Sequence, residues 1–434
     1  MKKNLILLTS ICLFTTGVIN AQMDNLSNMS AKWVMSNTRN AATDAADIVN
    51  YNPAGVVRLS DGLHINLSNQ TMFRKPEHTF NLGAGEKTYG QDGTDPFLPM
   101  LYVSYKKNNW AISSGTYISG GGATANYPDG SINTNLLGYS LMTYINSTTG
   151  AGYTALSSQY LKASSYYITV PLIFSYSLSD KLSVAAGGKY IKGSNKTEAG
   201  VTLGSSMLGA PETAINVDYK ENSTGFGGVI GIFYQPDDKL NLSIHYDTKV
   251  KLDFEASDNS GSYTLTADGV KNRRDLPAAL CTGASYKVTD KLTAAADFNY
   301  FFQKNAEWGT ITSPRDGKKY DASDAAGNCY TAGLGFSFDA TDALQLNAGC
   351  KYTSFMYDDK ELYYTKMGLF EVVKYNNLNF GLGASYKMSE KFQIDLGLGR
   401  TFWKDSEIRS LSANVPVNIQ DKGYVVAIGV DISL

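Results

Sequence analysis

Apolar and polar residues alternate along much of this chain. In residues 391–403, the apolar residues from Phe392 to Leu398 occupy every second position, and polar residues or glycines lie between them. The same alternation recurs in 240–247 and 344–352. A strict period of two is typical of a β-strand with one apolar and one polar face. The pattern therefore predicts an all-β protein.

A short motif recurs between these strands: an aromatic residue, a polar tight turn and an apolar restart. Its full copies are YSLSDKL (176–182), YQPDDKL (234–240), YKVTDKL (286–292), FDATDAL (338–344) and YKMSEKF (386–392), with a looser copy at Tyr105. The acidic turn residues lie 58, 52, 52 and 48 positions apart, so each interval holds two strands and a longer loop. Six short turns flank twelve strands, and one further strand at each end brings the predicted total to fourteen.

The spacing of turns and loops distinguishes between two all-β architectures. A soluble sandwich also alternates, but nothing in a sandwich requires an aromatic residue before every turn. Outer-membrane barrels typically have short turns at one end, long loops at the other end and a girdle of aromatic residues. The long loops in this chain include 119–163 and 193–222. We therefore expect a 14-stranded antiparallel transmembrane β-barrel over residues 61–434, with Asp180, Asp238, Asp290, Asp342 and Glu390 all at the periplasmic end.

The residues before the first strand predict two further segments. Lys2 and Lys3 precede the short apolar run 5–14, which predicts a signal peptide over 1–21 and export to the cell outer membrane. Residues 22–60 do not alternate and are rich in Ala, Asn and Asp, which favours short helices and turns. A barrel of this size approaches those that enclose an aqueous lumen, so we expect this segment to form a hatch inside it.

Composition argues against several other functions. The net charge of −2 offers no basic surface for nucleic acid. Only three histidines occur, without a catalytic motif, and no metal-ligand spacing is present, so we predict no enzyme activity, no cofactor and no metal site. Three cysteines remain after the signal peptide, an odd number that does not favour a disulfide framework: Cys281, Cys329 and Cys350.

The segment before the first strand resembles a known family. Asn52-Pro53-Ala54-Gly55 follows an Ala/Asp-rich stretch from Ala41 to Asp47, as in the hatch of the FadL/TodX (OmpP1) family. Residues 96–115 and 274–308 are also similar to strands of that family. The resemblance covers 23–434 and implies a fourteen-stranded outer-membrane transporter of long-chain fatty acids or aromatic hydrocarbons.

The resemblance also implies roles for particular residues. Asn52, Pro53, Ala54 and Gly55 take the place of the hatch motif. The ligand passes from an external groove to a pocket at the hatch N-terminus and leaves sideways at a kink in the third strand. We assign the pocket to Met23, Leu26, Met29 and Trp33, and the kink to Gly120, Gly121 and Gly122, although a flexible loop start would also explain these glycines. The chain departs from the family at 119–123, where a Pro-x-Gly segment is usual, and at its terminal Leu434.

Two other functions remain open at this point. Some FadL-like barrels are components of protein-secretion machinery and hold a protein partner. A general diffusion porin would lack the 22–60 hatch and usually carries charged rows at its constriction. For the transporter, the expected partners are a hydrophobic small molecule and outer-membrane lipid, with the chain acting as a monomer.

Overall fold

The structure is a computed structural model. It describes residues 29–81, 85–205, 212–264, 266–313, 316–367, 375–404, 406–410 and 415–434. The predicted signal peptide 1–21, with Met23 and Leu26, lies outside these residues. Within the described part of the chain, no helix is both long enough and apolar enough to cross a membrane.

Fourteen antiparallel strands form a closed barrel, as predicted. They are β1 Gly62–Arg74, β2 Gly93–Lys107, β3 Trp110–Tyr127, β4 Ala155–Ser177, β5 Leu182–Gly204, β6 Thr213–Tyr234, β7 Leu240–Asp247, β8 Ala279–Lys287, β9 Leu292–Phe301, β10 Asn328–Asp339, β11 Leu344–Met356, β12 Asn377–Ser389, β13 Phe392–Trp403 and β14 Lys422–Ser433. Each strand pairs with the next along the chain, and β14 closes on β1 from His64/Ser433 to Arg74/Gly423. Closure leaves no free sheet edge to face lipid at either terminus.

The predicted turn end of the barrel is confirmed. The six short turns join β2–β3, β4–β5, β6–β7, β8–β9, β10–β11 and β12–β13, so all lie at the end where β1 begins and β14 finishes. The aromatic residue before each turn points outward and is 38–53% exposed, as a girdle at the membrane interface requires: Tyr105, Tyr176, Tyr234, Tyr286, Phe338 and Tyr386.

The strands on one side of the barrel are much longer than the sequence pattern suggested. β4 and β5 have 23 residues each and β6 has 22, whereas β7 has only 8. About 9–11 residues cross a membrane, so the long strands extend well beyond it. The long loops predicted at 119–163 and 193–222 are therefore wrong in extent. Residues 119–127 and 155–163 belong to β3 and β4, and residues 193–204 and 213–222 belong to β5 and β6.

Shorter elements cap the loop end of the barrel. One small sheet consists of the strands Glu77–Asn81, Glu86–Gly90, Ser406–Ser410 and Val415–Gln420. Beside β6, the barrel sheet is extended by Asp253–Ser257 and Lys271–Arg273. A separate two-stranded pair is formed by Thr310–Thr312 and Lys319–Asp321. The helices here are α2 Ile132–Thr149, α3 Ala322–Ala326 and α4 Lys360–Met367, with a 3-10 turn at Gln303–Asn305. They share a hydrophobic core that includes Tyr127, Trp308 and Ile408, so the cap packs as a unit.

Residues 29–60 occupy the lumen, which confirms the predicted hatch. They form the helix α1 (Ala31–Ser36) and two 3-10 helices, Ala46–Val49 and Pro53–Arg58. Nearly all of their side chains are buried against inward-facing residues of the barrel. We call residues 29–60 the plug.

Candidate functional site

The plug helix α1 lies directly against glycines of the barrel wall. A Cβ atom at Gly349 would overlap the carbonyl oxygen of Ser36, and one at Gly381 would overlap that of Val34. Other glycines of β10–β13 approach the helix in the same way; together we call them the glycine wall: Gly333, Gly335, Gly349, Gly381, Gly383 and Gly397. Any side chain at these positions would push α1 toward the centre of the lumen.

Buried charges also fix α1 to the barrel. The ammonium of Lys32 lies 2.9 Å from Asp44 and 3.2 Å from Asp431 on β14. Burial alone would lower the pKa of Lys32, but the carboxylates of Asp395, Asp44 and Asp431 outweigh it and hold that pKa well above its ordinary value. Lys32 therefore remains charged and ties the plug to the barrel.

A second ion-pair cluster lies within the plug. The Arg39 guanidinium binds Asp44 at 2.7 Å and Asp47 at 2.6 Å, and Asp47 also accepts a bond from the hydroxyl of Ser30, the N-cap of α1. Burial would raise the pKa of Asp44, but Arg39 and Lys32 hold it below its usual range. These pairs join α1 to the segment that follows it.

The wall holds the next part of the plug through backbone groups. One carboxylate oxygen of Asp297 on β9 accepts bonds from the backbone N–H groups of Arg39 (2.7 Å) and Asn40 (2.9 Å). The hydroxyl of Ser243 donates to the carbonyl of Asn40. Three hydrogen bonds from the wall to two neighbouring plug residues make this a firm attachment.

The predicted hatch motif is a compact turn bonded to β4 and β5. Asn52 caps the last 3-10 helix: its side chain accepts from the N–H of Gly55 at 3.1 Å and donates to the carbonyl of Ala42 at 2.9 Å. The hydroxyl of Ser175 donates to the Pro53 carbonyl at 2.8 Å, and that of Ser183 to the Ala54 carbonyl at 2.7 Å. A Cβ at Gly55 would overlap the Asn52 side chain, which explains the glycine.

Two chambers lie on the loop side of the plug. The inner chamber, of about 120 Å³, combines apolar residues with a buried ion pair in which Lys189 lies 2.7 Å from Asp247. The window chamber, of about 210 Å³, is lined largely by apolar side chains: Met72, Leu98, Ile118, Phe355, Trp403 and Val425. Met29, Trp33 and Lys351 line both chambers.

A third cavity lies on the turn side of the plug and is polar. It has a volume of about 350 Å³ and is lined by charged groups of the plug and of the short turns, among them Lys32, Arg39, Asp44, Asp238 and Lys287. The plug therefore separates two chambers with apolar surface from a polar vestibule. An apolar solute that left through this vestibule would have to enter a polar, hydrated space.

The barrel wall parts beside the window chamber. β2 and β3 pair only from Leu101/Thr116 to Lys107/Trp110. Beyond these residues β2 pairs only with β1, and β3 pairs only with β4. The strands are linked again farther out, where the Asp95 carboxylate accepts from the Thr124 N–H at 3.1 Å and the Asp92 N–H donates to the Asn126 carbonyl at 2.8 Å. We call the stretch between the end of this ladder and these links the window.

Both edges of the window are irregular. β3 shifts register against β4 between Ile118 and Gly120 and again between Gly120 and Ala123. Gly121 has a φ of +93°, and a Cβ there would overlap the carbonyl oxygen of Ser165, so only glycine fits without strain. On the β2 edge, Pro96 and Pro99 lack the N–H groups that a paired neighbour would need.

The structure brings together most of the residues named from the sequence. Met29 and Trp33 line both chambers, and Gly121 lines the window chamber. Gly120–Gly122 lie inside β3 rather than at a loop start. The sequence analysis missed Lys189, Asp247 and Lys351, whose only signal was a charge on the polar face of an alternating strand. Among the described residues, no group of His, Cys, Asp or Glu side chains is arranged to hold a metal ion.

Comparison with known proteins agrees with this architecture. Residues 20–433 match the family described as outer membrane protein transport protein (OMPP1/FadL/TodX). The chain belongs to this family. It is therefore an outer-membrane protein of a family described as transport proteins, and the resemblance drawn from the plug motif is confirmed over nearly the whole length of the chain.

Individual relatives of this OMPP1/FadL/TodX chain are distant. Outer membrane protein P1 of Haemophilus influenzae is 24% identical over 226 residues, which is 48% of this chain and 47% of that protein, so the match spans about half of its length. A Pseudomonas aeruginosa FadL homologue shares the fold with a TM-score of 0.68 at 13% identity, covering 95% of this chain and 100% of that one. The P. putida toluene transporter TodX has a TM-score of 0.64 at 15% identity, covering 94% and 99%.

Proposed function

We propose that this chain, acting as a monomer, takes up small hydrophobic molecules such as long-chain fatty acids or aromatic hydrocarbons and releases them sideways into the outer membrane. The window beside an apolar chamber is the observation that carries this proposal. It offers a solute that has reached the chamber a direct route to lipid. Release through the window also avoids the polar vestibule below the plug.

The size and lining of the chambers suit such solutes. The 210 Å³ of the window chamber exceeds the ~150 Å³ of an engineered apolar cavity that binds benzene. Burial of each methylene group contributes ~0.8 kcal/mol, so binding needs few polar contacts. The structurally similar proteins of P. putida and Ralstonia pickettii are both described as toluene transporters.

Lys351 adds a feature that would recognise an acidic solute. Its ammonium lies at the junction of the two chambers, and no described carboxylate is within ion-pair distance of it. An ammonium in such surroundings gains from an anionic partner. The same site therefore accepts a neutral aromatic solute or the carboxylate end of a fatty acid.

The residues named from the sequence take the following roles in this proposal. The plug is anchored by Asn52, Pro53, Ala54 and Gly55. The solute contacts Met29 and Trp33, and the edge of the window is shaped by Gly120–Gly122. Met23 and Leu26, assigned to the same pocket from the sequence, lie outside the described residues.

Uptake and conductance together test the proposal. In a planar bilayer the intact protein should conduct ions poorly, and deletion of residues 23–55 should raise conductance sharply. In cells lacking their own transporter, the intact protein should speed uptake of a long-chain fatty acid or of toluene. High conductance by the intact protein without such uptake would instead indicate a general porin. Absence of both, together with a protein that co-purifies in stoichiometric amount, would indicate a secretion component.

A further inference from the structure

The inner chamber and the window chamber meet at three side chains. Met29, Trp33 and Lys351 are the residues that line both of them. A solute that passes from one chamber to the other must therefore move past these groups. Trp33 lies in the first turn of α1, Met29 lies two residues before this helix, and Lys351 lies on β11.

A direct contact closes this junction. The ammonium of Lys351 lies 4.3 Å from the centroid of the Trp33 indole ring, within the range of a strong cation–π interaction. The other lysine of this region is bound differently, since Lys189 already has Asp247 as its ion-pair partner. Lys351 has no such carboxylate among the described residues, so the indole face is the contact that holds its charge.

The backbone of α1 has little freedom to move away. Its carbonyl oxygens at Val34 and Ser36 occupy the space that side chains of the glycine wall would fill, and Lys32 is paired with Asp44 and Asp431. Val34 and Met35 are at most 2% exposed, whereas Trp33 is only partly buried. A passage between the chambers therefore opens by rotation of the Trp33 side chain, with the helix still seated.

We propose that Lys351 and Trp33 form a latch between the chambers, which a solute opens by replacing the indole as the partner of the Lys351 ammonium. An aromatic ring replaces it through its own π face, and a carboxylate replaces it by direct charge pairing. A saturated neutral hydrocarbon offers neither group, so it passes only when the contact between Lys351 and Trp33 breaks spontaneously. Lys351 thus determines specificity by chemistry rather than by size. This inference rests on the proposed function.

Two solutes of similar size test the latch. Wild-type protein should take up toluene faster than methylcyclohexane, by about 2- to 30-fold, the range that corresponds to a cation–π contact. Lys351→Met retains the length of the side chain but removes its charge, so the two uptake rates should become equal, chiefly because methylcyclohexane passes faster. Lys387→Met, in a short turn far from the chambers, is the matched control and should leave the ratio unchanged.

A measurement on purified protein separates the latch from transport itself. Mixing with toluene should change tryptophan fluorescence rapidly as Trp33 leaves Lys351, and methylcyclohexane should do so more slowly; Trp33→Phe identifies the signal that belongs to this residue. Lys351→Met should remove the difference in rate. If wild-type cells take up neither solute, the proposed function fails, while the fluorescence rates still decide the latch. Equal rates for both solutes in the wild type, or a ratio that Lys351→Met leaves intact, would overturn it.

Discussion

The glycine wall of β10–β13 and the window between β2 and β3 both depend on glycine, but for different reasons. In the glycine wall the strands pair along their full length, and the missing side chains leave space for the backbone of α1. At the window, Gly121 adopts a positive φ inside a strand that shifts register twice and leaves its neighbour. One region uses glycine to hold the plug closely, and the other uses it to interrupt the wall.

Under the proposed function, this comparison explains how a plugged barrel could still release a solute. A plug seated on the glycine wall closes the direct route along the barrel axis. In that proposal, the interruption between β2 and β3 is the route through the side. Changes in the two regions should therefore affect different measurements, and this difference can be tested.

The largest effect is expected in the glycine wall. In Gly349→Val the added side chain would overlap the carbonyl of Ser36 and displace α1. Overpacking of this kind costs ~1–3 kcal/mol, which is about 5- to 150-fold in the ratio of docked to displaced plug. Ion conductance and protease cleavage within residues 29–60 should both rise. The control is Gly188→Val, since a Cβ at Gly188 meets no atom closer than 3.7 Å. If conductance stays at the wild-type level, close contact with the glycine wall does not hold the plug.

A smaller and opposite effect is expected at the window. Gly121→Val places a β-branched residue at a φ of +93° and against the Ser165 carbonyl. Strain of ~1–3 kcal/mol favours a straighter β3 that closes the window. Uptake of toluene should fall by about tenfold, while conductance remains low because the plug is untouched. Unchanged uptake with a folded barrel would show that the exit lies elsewhere.

The smallest effect is expected at the hatch motif. Asn52→Ala removes the cap on Gly55 and the bond to the Ala42 carbonyl, and loss of such a cap costs ~1 kcal/mol. Protease sensitivity of residues 29–60 should rise about fivefold, whereas the heat-modifiable gel mobility of the barrel should not change. Asn52→Ser keeps a neutral side-chain acceptor for the Gly55 N–H and should show a weaker effect. An identical digestion pattern for wild type and Asn52→Ala would remove the motif from the list of plug anchors.

Much of the barrel could be predicted because its constraints are local in sequence. A strand with one face toward lipid must alternate, and a short turn must contain residues that tolerate tight backbone geometry. The repeat around Asp180, Asp238, Asp290, Asp342 and Glu390 therefore gave the strand number and the end at which the turns lie. The lengths of β4, β5 and β6 were not predicted, because a strand continues to alternate after it has left the membrane.

The candidate site was predictable only in part. Asn52 through Gly55 form a short motif whose bonds are mostly local, and Met29 and Trp33 are unusual apolar residues in a polar segment. Lys351 looked like one more polar-face residue of β11, and its lack of a carboxylate partner depends on which side chains the plug and the wall bring near it.

The sequence by itself determined the alternation, the turns, the strand number and the presence of a segment that could fill the lumen, since each follows from spacing along the chain. The tertiary structure alone decided where the wall opens and which glycines support α1. Gly349 and Gly381 occupy ordinary inward positions of their strands. A side chain is excluded there only because α1 packs against these positions in the folded protein. The window likewise exists because β2 and β3 part after Leu101 and Thr116, and strand pairing is a contact between distant residues that no local pattern records.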